Sequence, residues 1–239
     1  MIPVSQHTPD AADKRKFYRQ PEVVAAYDRQ RFGSPSGAWV NQREIAQVLR
    51  LLPDTGRILD LGCGTGRLSQ RLAEHGRDVV LCDASDAMLA RAVPAVGAPA
   101  VLADAFALPF ARQSFDAVVA LRVAFHFGDI GALIGSVVPL LRPGGRFVFD
   151  TYRWTPRAIL ALAARQWGGK VYIHSPATVK ASAEAAGLCV AGRDACFLFS
   201  PYLYRLLPMV AVRVLDRAEI HLPDGARARV FWALERPTE

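Results

Sequence analysis

The sequence is sparing with the residues that staple or anchor a chain. Its 239 residues include 4 cysteines, Cys63, Cys82, Cys189 and Cys196, with no Cys-x-x-Cys pair and no histidine at a companion spacing. That pattern argues against a zinc site or a disulfide scaffold and for a reducing cytoplasm. No cluster of carboxylates and histidines has ligand spacing, so no metal is expected. The opening residues, MIPVSQHTPDAADKRKF, lack an apolar core ahead of a small-residue cleavage site and are not read as a secretory signal. No transmembrane segment is expected either: the most apolar stretch, residues 197–215, is broken by Pro201, Arg205, Pro208 and Arg213. Internal repeats and low-complexity tracts are missing. What remains is an ordinary globular balance, 51% hydrophobic and 21% charged, long enough to bury one core, so a single elaborated domain is favoured.

The formal net charge is +7, and the surplus sits at the ends: residues 1–57 carry +3, 58–150 carry −1 and 151–239 carry +5. Such a placement suits an anionic substrate or nucleic acid approaching the ends. Against nucleic acid, the cations are dispersed singly, with no Lys/Arg block interleaved with aromatics. The plain reading is a solvated, arginine-rich surface.

Short apolar runs alternate with helix-period segments, the rhythm of a parallel α/β sheet. Residues 1–56 read as an N-terminal helical cap or lid, in which Ile45, Val48, Leu49 and Leu52 recur at helical spacing. Residues 57–239 read as the core, with an insert at 201–225. Strands are expected at 57–61, 78–82, 100–103, 115–121, 146–150, 188–200 and 229–235. Helices are expected at 67–75, closed by Gly76, after the cap Ser85, and at 133–141, 156–166 and 177–186.

The sharpest feature is Asp60-Leu61-Gly62-Cys63-Gly64-Thr65-Gly66, directly after the first strand and before a helix. Glycines there let the backbone turn tightly and let a ligand lie against it, while free N–H groups at the helix start meet polar groups of that ligand. Asp83 follows 21 positions after Gly62 at the end of the second strand, where a carboxylate grips a ribose diol. Position 67, where the G-x-G-x-x-G pattern needs its third glycine, is Arg67, which argues against NAD. Asp83 and Asp104 stand at consecutive strand ends facing one crevice and would repel unless a ligand or water separated them.

Four segments together resemble the class I S-adenosylmethionine-dependent methyltransferases, in particular the broad small-molecule group of bacterial methyltransferases. They are ILDLGCGTG, LCDASDAML, VLADAFALPFARQSFDAVVA and LLRPGGRFVFD, and the resemblance is close over about residues 40–150. It implies an α/β, Rossmann-like, doubly wound sheet of seven strands, mostly parallel with an antiparallel terminal hairpin and helices on both faces. It also implies S-adenosylmethionine as cofactor and S-adenosylhomocysteine as product. Asp60, Gly62, Cys63, Gly64 and Gly66 would surround the methionine part of the cofactor, and Asp83 would hold the ribose hydroxyls. Ala84 and Met88 would border the adenine, Asp104 would accept from its exocyclic amine with Ala105 and Phe106 alongside, and Leu121 would close the pocket.

Methyl transfer from a sulfonium is an in-line displacement, so the protein mainly aligns donor and acceptor and excludes water. For a hydroxyl acceptor a base helps, and His126, following the fourth strand in LRVAFHF, is the candidate, set against simple packing beside Phe125 and Phe127. Arg122 in the same loop would meet an acidic group of the substrate or a neighbouring Asp129. Tyr18 and Tyr27 resemble the N-terminal lid of related enzymes, with hydrophobic anchoring as their alternative, and Tyr152, beside Arg153 and Trp154, would form substrate wall. The insert reads as a lid over an apolar substrate, a dimer interface, or a surface helix touching membrane. The function expected is methylation of O, N or C of a small molecule, by a monomer or homodimer. An RNA methyltransferase and a non-catalytic S-adenosylmethionine-binding protein are the rivals.

Overall fold

A computed structural model describes residues 17–155 and 170–238. The expected helix at 156–166 lies outside the described residues. The chain order is α1 Pro21–Phe32, α2 Pro35–Leu51, β1 Arg57–Leu61, α3 Arg67–Glu74, β2 Asp78–Asp83, α4 Asp86–Val96, β3 Ala100–Leu102 and β4 Phe115–Ala120. Then come α5 Ile130–Val137, β5 Leu141–Tyr152, α6 Pro176–Ala185, β6 Cys189–Cys196, α7 Pro201–Tyr204, α8 Met209–Glu219 and β7 Arg229–Glu235.

The seven strands form one sheet in the order β3-β2-β1-β4-β5-β7-β6. The strands β1 to β5 run parallel, and β7 is antiparallel to both β5 and β6. Runs such as VVLC in β2 and AVVA in β4 are apolar at every position because helices cover both faces. One face packs Leu59, Val80, Val118 and Phe147 under Leu133 and Ile134 of α5 and Val179 of α6. The other packs Ile58, Val79, Val119 and Val148 under Val40 and Val48 of α2, Leu72 of α3 and Leu89 of α4. The helix α2, inside the span read as a cap, is thus a layer of the core.

Local chemistry sets the element ends. Ser34, Ser85, Asp129 and Ser175 cap α2, α4, α5 and α6, each side chain accepting from a backbone N–H three residues on. The Asp129 cap moves the start of α5 ahead of the expected residue 133. The fifth strand is longer than expected, pairing from Arg146 to Tyr152 along β7 and touching β4 again at Leu141. The sixth stops short of residue 200, because Phe197 turns to φ +65° and its N–H donates to Glu219 Oε2 rather than to the ladder.

The strand order reverses between β1 and β4. Parallel sheets of this kind leave a crevice outside the carboxyl ends of the strands at that reversal, and ligands bind there.

Candidate functional site

The residues after β1 to β4 converge on that crevice. Gly62 has φ +71° and an added Cβ would stand 2.5 Å from Val123 Cγ2, while at Gly66, φ +83°, it would meet Val96 Cγ2 at 2.9 Å. Only glycine satisfies both the left-handed backbone and the close approach. The N–H groups of Gly62 and Cys63 donate to the Cys82 carbonyl at 2.7 and 3.1 Å, tying the turn to the end of β2.

Two carboxylates flank the turn. Asp83 accepts from Gly64 N–H at 2.8 Å and from Ser85 N–H at 2.9 Å. Burial pushes its carboxyl up and these backbone donors pull it back. Asp60 is buried and accepts from the Ser69 hydroxyl. Burial pushes it up to about 6, against that hydrogen bond, and the neighbouring Asp83 adds to the rise. Cys63 is buried as well, which pushes its thiol up.

The remaining expected residues line the same edge. Met88 is buried at the start of α4, its N–H donating to Ser85 Oγ at 3.2 Å, and the Ala84 carbonyl accepts from Arg19 at 3.4 Å. Asp104 accepts from Phe106 N–H at 3.0 Å, Ala105 leans on the core, and Phe106, half exposed, meets the Phe127 ring edge-on at 4.8 Å. Leu121 is buried just past β4, and His126 closes the short turn that follows it. His174 braces this loop: its Nε2 lies 3.0 Å from the Phe127 carbonyl, and burial lowers its pKa.

The N-terminal segment lies across the opening. The Tyr18 carbonyl accepts from Ser85 Oγ at 2.7 Å, and its ring stands edge-on to His126 at 5.9 Å and to Tyr27 at 6.1 Å. Tyr18 therefore touches the β2 side and the β4 side at once. From α1, Asp28 accepts from Thr65 Oγ1 of the turn at 2.8 Å.

Two expected substrate contacts are placed otherwise. Arg122 reaches neither the open crevice nor Asp129. Its guanidinium, only 8% exposed, is spent on Glu44 of α2, with Nε at 3.1 and 2.9 Å from the two carboxylate oxygens and Nη2 at 2.7 Å. Its N–H donates to Asp150 at 2.6 Å, and Arg229 bridges Glu44 and Asp150. Tyr152 is fully buried beneath the crevice, its ring 4.9 Å from Phe125 and under the Arg229 guanidinium, and its hydroxyl has no hydrogen-bond partner among the described residues. Beside it, Trp154 meets Phe199 edge-on at 6.2 Å.

Glu44, Arg229 and Asp28 escaped the reading of the sequence. A signal existed for two of them. Glu44 falls between Val40 and Val48 at four-residue spacing on the buried face of α2, and Arg229 opens the otherwise apolar strand RVFWALE.

The insert buttresses the N-terminal helices. Tyr204 of α7 is buried and stacks on Trp39 of α2 at 5.6 Å, and α8 packs through Val212 and Glu219. Its outer face leaves Leu206, Val210, Val214 and Ile220 exposed. Among the described residues no helix is long and apolar enough to cross a membrane, and no group of three or more His, Cys, Asp or Glu is placed to hold a metal ion. An open depression of about 660 Å³ lies at the amino ends of β1, β2 and β4, but its arginines are engaged locally, Arg57 with Asp78, Arg142 with Asp116 and Arg77 with the Pro53 carbonyl.

Comparison with known proteins points the same way as the crevice. A family model described as a methyltransferase domain matches residues 59–149. The ubiquinone biosynthesis O-methyltransferase of Sinorhizobium medicae is 31% identical over 202 residues, 78% of this chain and 78% of that protein. The demethylmenaquinone methyltransferase of Beutenbergia cavernae is 41% identical over 109 residues, so the match spans 42% of this chain and under half, 43%, of that relative's length. Among solved structures, geranyl diphosphate C-methyltransferase from Streptomyces coelicolor, in complex with Mg2+, geranyl-S-thiolodiphosphate and S-adenosyl-L-homocysteine, superimposes with a TM-score of 0.70. That likeness covers 98% of this chain and all of the other at 16% identity, and is a likeness of fold.

Proposed function

The chain belongs to the class I S-adenosylmethionine-dependent methyltransferases, and we propose that it methylates a hydroxyl group of a small aromatic acceptor. The observation that carries this reading is Tyr18, whose one ring and carbonyl bridge the carboxylate side of the crevice at Ser85 and the imidazole side at His126. A donor site and an acceptor site under one cover is the arrangement that group transfer needs. Oxygen is favoured over nitrogen or carbon because the relative matched over most of its length is named as an O-methyltransferase.

S-adenosylmethionine supplies a methyl group on a positively charged sulfonium and leaves as S-adenosylhomocysteine. The turn suits it: no atom lies within 4 Å of where a Cβ on Gly64 would stand, so the backbone there faces open space. In our reading Asp60, Gly62, Cys63, Gly64 and Gly66 hold the methionine part and Asp83 the ribose hydroxyls. Ala84 and Met88 border the adenine, Asp104 receives its amine with Ala105 and Phe106 alongside, and Leu121 closes the floor.

The chain's own contribution is alignment, exclusion of water and management of one proton. Tyr18 and Tyr27, in the 1–56 segment, close over the bound molecules as a lid and present aromatic faces to the acceptor. His126 takes the proton of the acceptor hydroxyl as the methyl group arrives. The four unpaired cysteines suit work in a reducing cytoplasm.

The test is turnover of S-adenosylmethionine with a panel of phenols and catechols, products read by mass spectrometry. A product heavier by one methyl group on oxygen supports the proposal. Tight binding of S-adenosylhomocysteine with no transfer to any hydroxyl, amine or carbon acceptor contradicts it and leaves a cofactor-binding protein without that activity.

A further inference from the structure

Arg31, in the last turn of α1, is a partly buried cation that meets no carboxylate among the described residues. Its guanidinium donates to the Tyr202 hydroxyl at 3.1 Å and lies over the Tyr27 ring at 4.4 Å and the Tyr202 ring at 5.9 Å. Rings and a phenol offer dipoles and quadrupoles, which soften the cost of burying a charge without neutralising it.

The surrounding charges do not neutralise it either. Glu44 and Asp150 are taken by Arg122 and Arg229, and Asp28 faces Arg67 at 3.7 Å. With Arg31 included, four guanidiniums meet three carboxylates. The surplus cation is Arg31.

Its position assigns it to one half of the crevice. Tyr202 packs on the cluster of Phe125, Tyr152 and Val171, which lies beyond β4 and β5. Tyr27 leads through Tyr18 to His126. This is the side across from Asp83 and Asp104. A guanidinium beside an aromatic wall matches a planar carboxylate, which accepts two parallel N–H bonds from it.

We propose that Arg31 receives a carboxylate of the acceptor, so that the substrate is a hydroxylated aromatic acid rather than a neutral phenol. This rests on the methyl-transfer reading above and adds the acceptor's charge to it.

The experiment compares protocatechuate with its neutral methyl ester, titrated calorimetrically into the full chain saturated with S-adenosylhomocysteine. Wild-type protein is expected to bind the acid at least about 10-fold more tightly than the ester, a charge-assisted contact being stronger than a neutral one. Arg31→Met removes that preference, Arg31→Lys keeps part of it, and all three proteins bind S-adenosylhomocysteine equally. Arg31→Met also melts no lower than wild type, since it discards a charge that had no countercharge. Wild-type protein that binds the acid no better than the ester, or binds neither, overturns the proposal. So does loss of S-adenosylhomocysteine affinity in Arg31→Met with the acid preference kept, which assigns Arg31 to the cofactor's own carboxylate. Preference for the acid without methyl transfer to either probe supports the role of Arg31 and counts instead against the acceptor class proposed in the preceding section.

Discussion

Glu44, in the middle of α2, grips the guanidinium of Arg122, the second residue beyond β4, with both carboxylate oxygens inside the protein. The N-terminal helices are thereby locked to the strand end that carries the loop to His126. Arg229 and Asp150 complete the lock from β7 and β5. Breaking one member of a buried ionic network is expensive because it strands the others without a countercharge.

Glu44→Gln is accordingly expected to cost about 3–5 kcal/mol of stability, read as a fall in Tm near neutral pH. Burial alone would raise the Glu44 carboxyl, but Arg122 and Arg229 outweigh it and hold it at about 2, below the usual 4.5. A depressed acid stabilises the fold fully above its unfolded pKa and loses that contribution as pH falls through the folded one. The gap between wild type and Glu44→Gln should therefore close as pH drops from 4.5 toward 2. A variant that melts with wild type at pH 7 contradicts this account of the network.

Gly62 and Gly64 separate folding from ligand contact. Both have positive φ, so alanine at either position pays roughly 1–2 kcal/mol for a left-handed backbone. At Gly62 the methyl group also strikes Val123, whereas at Gly64 it enters open space. Gly62→Ala should lower Tm clearly more than Gly64→Ala, and Gly64→Ala should weaken S-adenosylhomocysteine binding out of proportion to its small loss of stability. Equal Tm values for the two variants, or normal binding by Gly64→Ala, would show that the turn is not shaped for a ligand.

Asp83 tests the ribose assignment. Its two oxygens are already oriented by the N–H groups of Gly64 and Ser85. Asp83→Ala should weaken binding of S-adenosylmethionine by about 1–3 kcal/mol through lost charged hydrogen bonds. Unchanged affinity by calorimetry removes Asp83 from the cofactor site.

His126 is assigned to the chemical step alone. His126→Ala should lower kcat about 100-fold or more with a hydroxyl acceptor, the usual scale for a lost general base, while cofactor affinity stays within twofold. An unaffected kcat withdraws the proton-transfer role.

Much of this was legible in the sequence because it is written in local patterns. Asp60 to Gly66 after an apolar strand, Asp83 after the next one and the turn before Phe147 place the crevice without any tertiary information. The fate of Arg122 was not legible, since its partner Glu44 lies 78 positions earlier in a helix whose docking only the fold decides. Tyr152 illustrates the same limit: a tyrosine at a strand end reads as pocket wall, and only the packing of Phe125 and Arg229 shows it enclosed. The early end of β6 depends on the positive φ of Phe197 and its bond to Glu219, a contact between segments 22 residues apart.

The proposed function stands or falls with whether the glycine turn and Asp83 hold S-adenosylmethionine. Calorimetric titration of the protein with S-adenosylmethionine, S-adenosylhomocysteine and NAD in parallel tests it most directly. Micromolar binding of the first two with none of NAD is the result expected. Binding of NAD, or of none of the three, contradicts the account at its root.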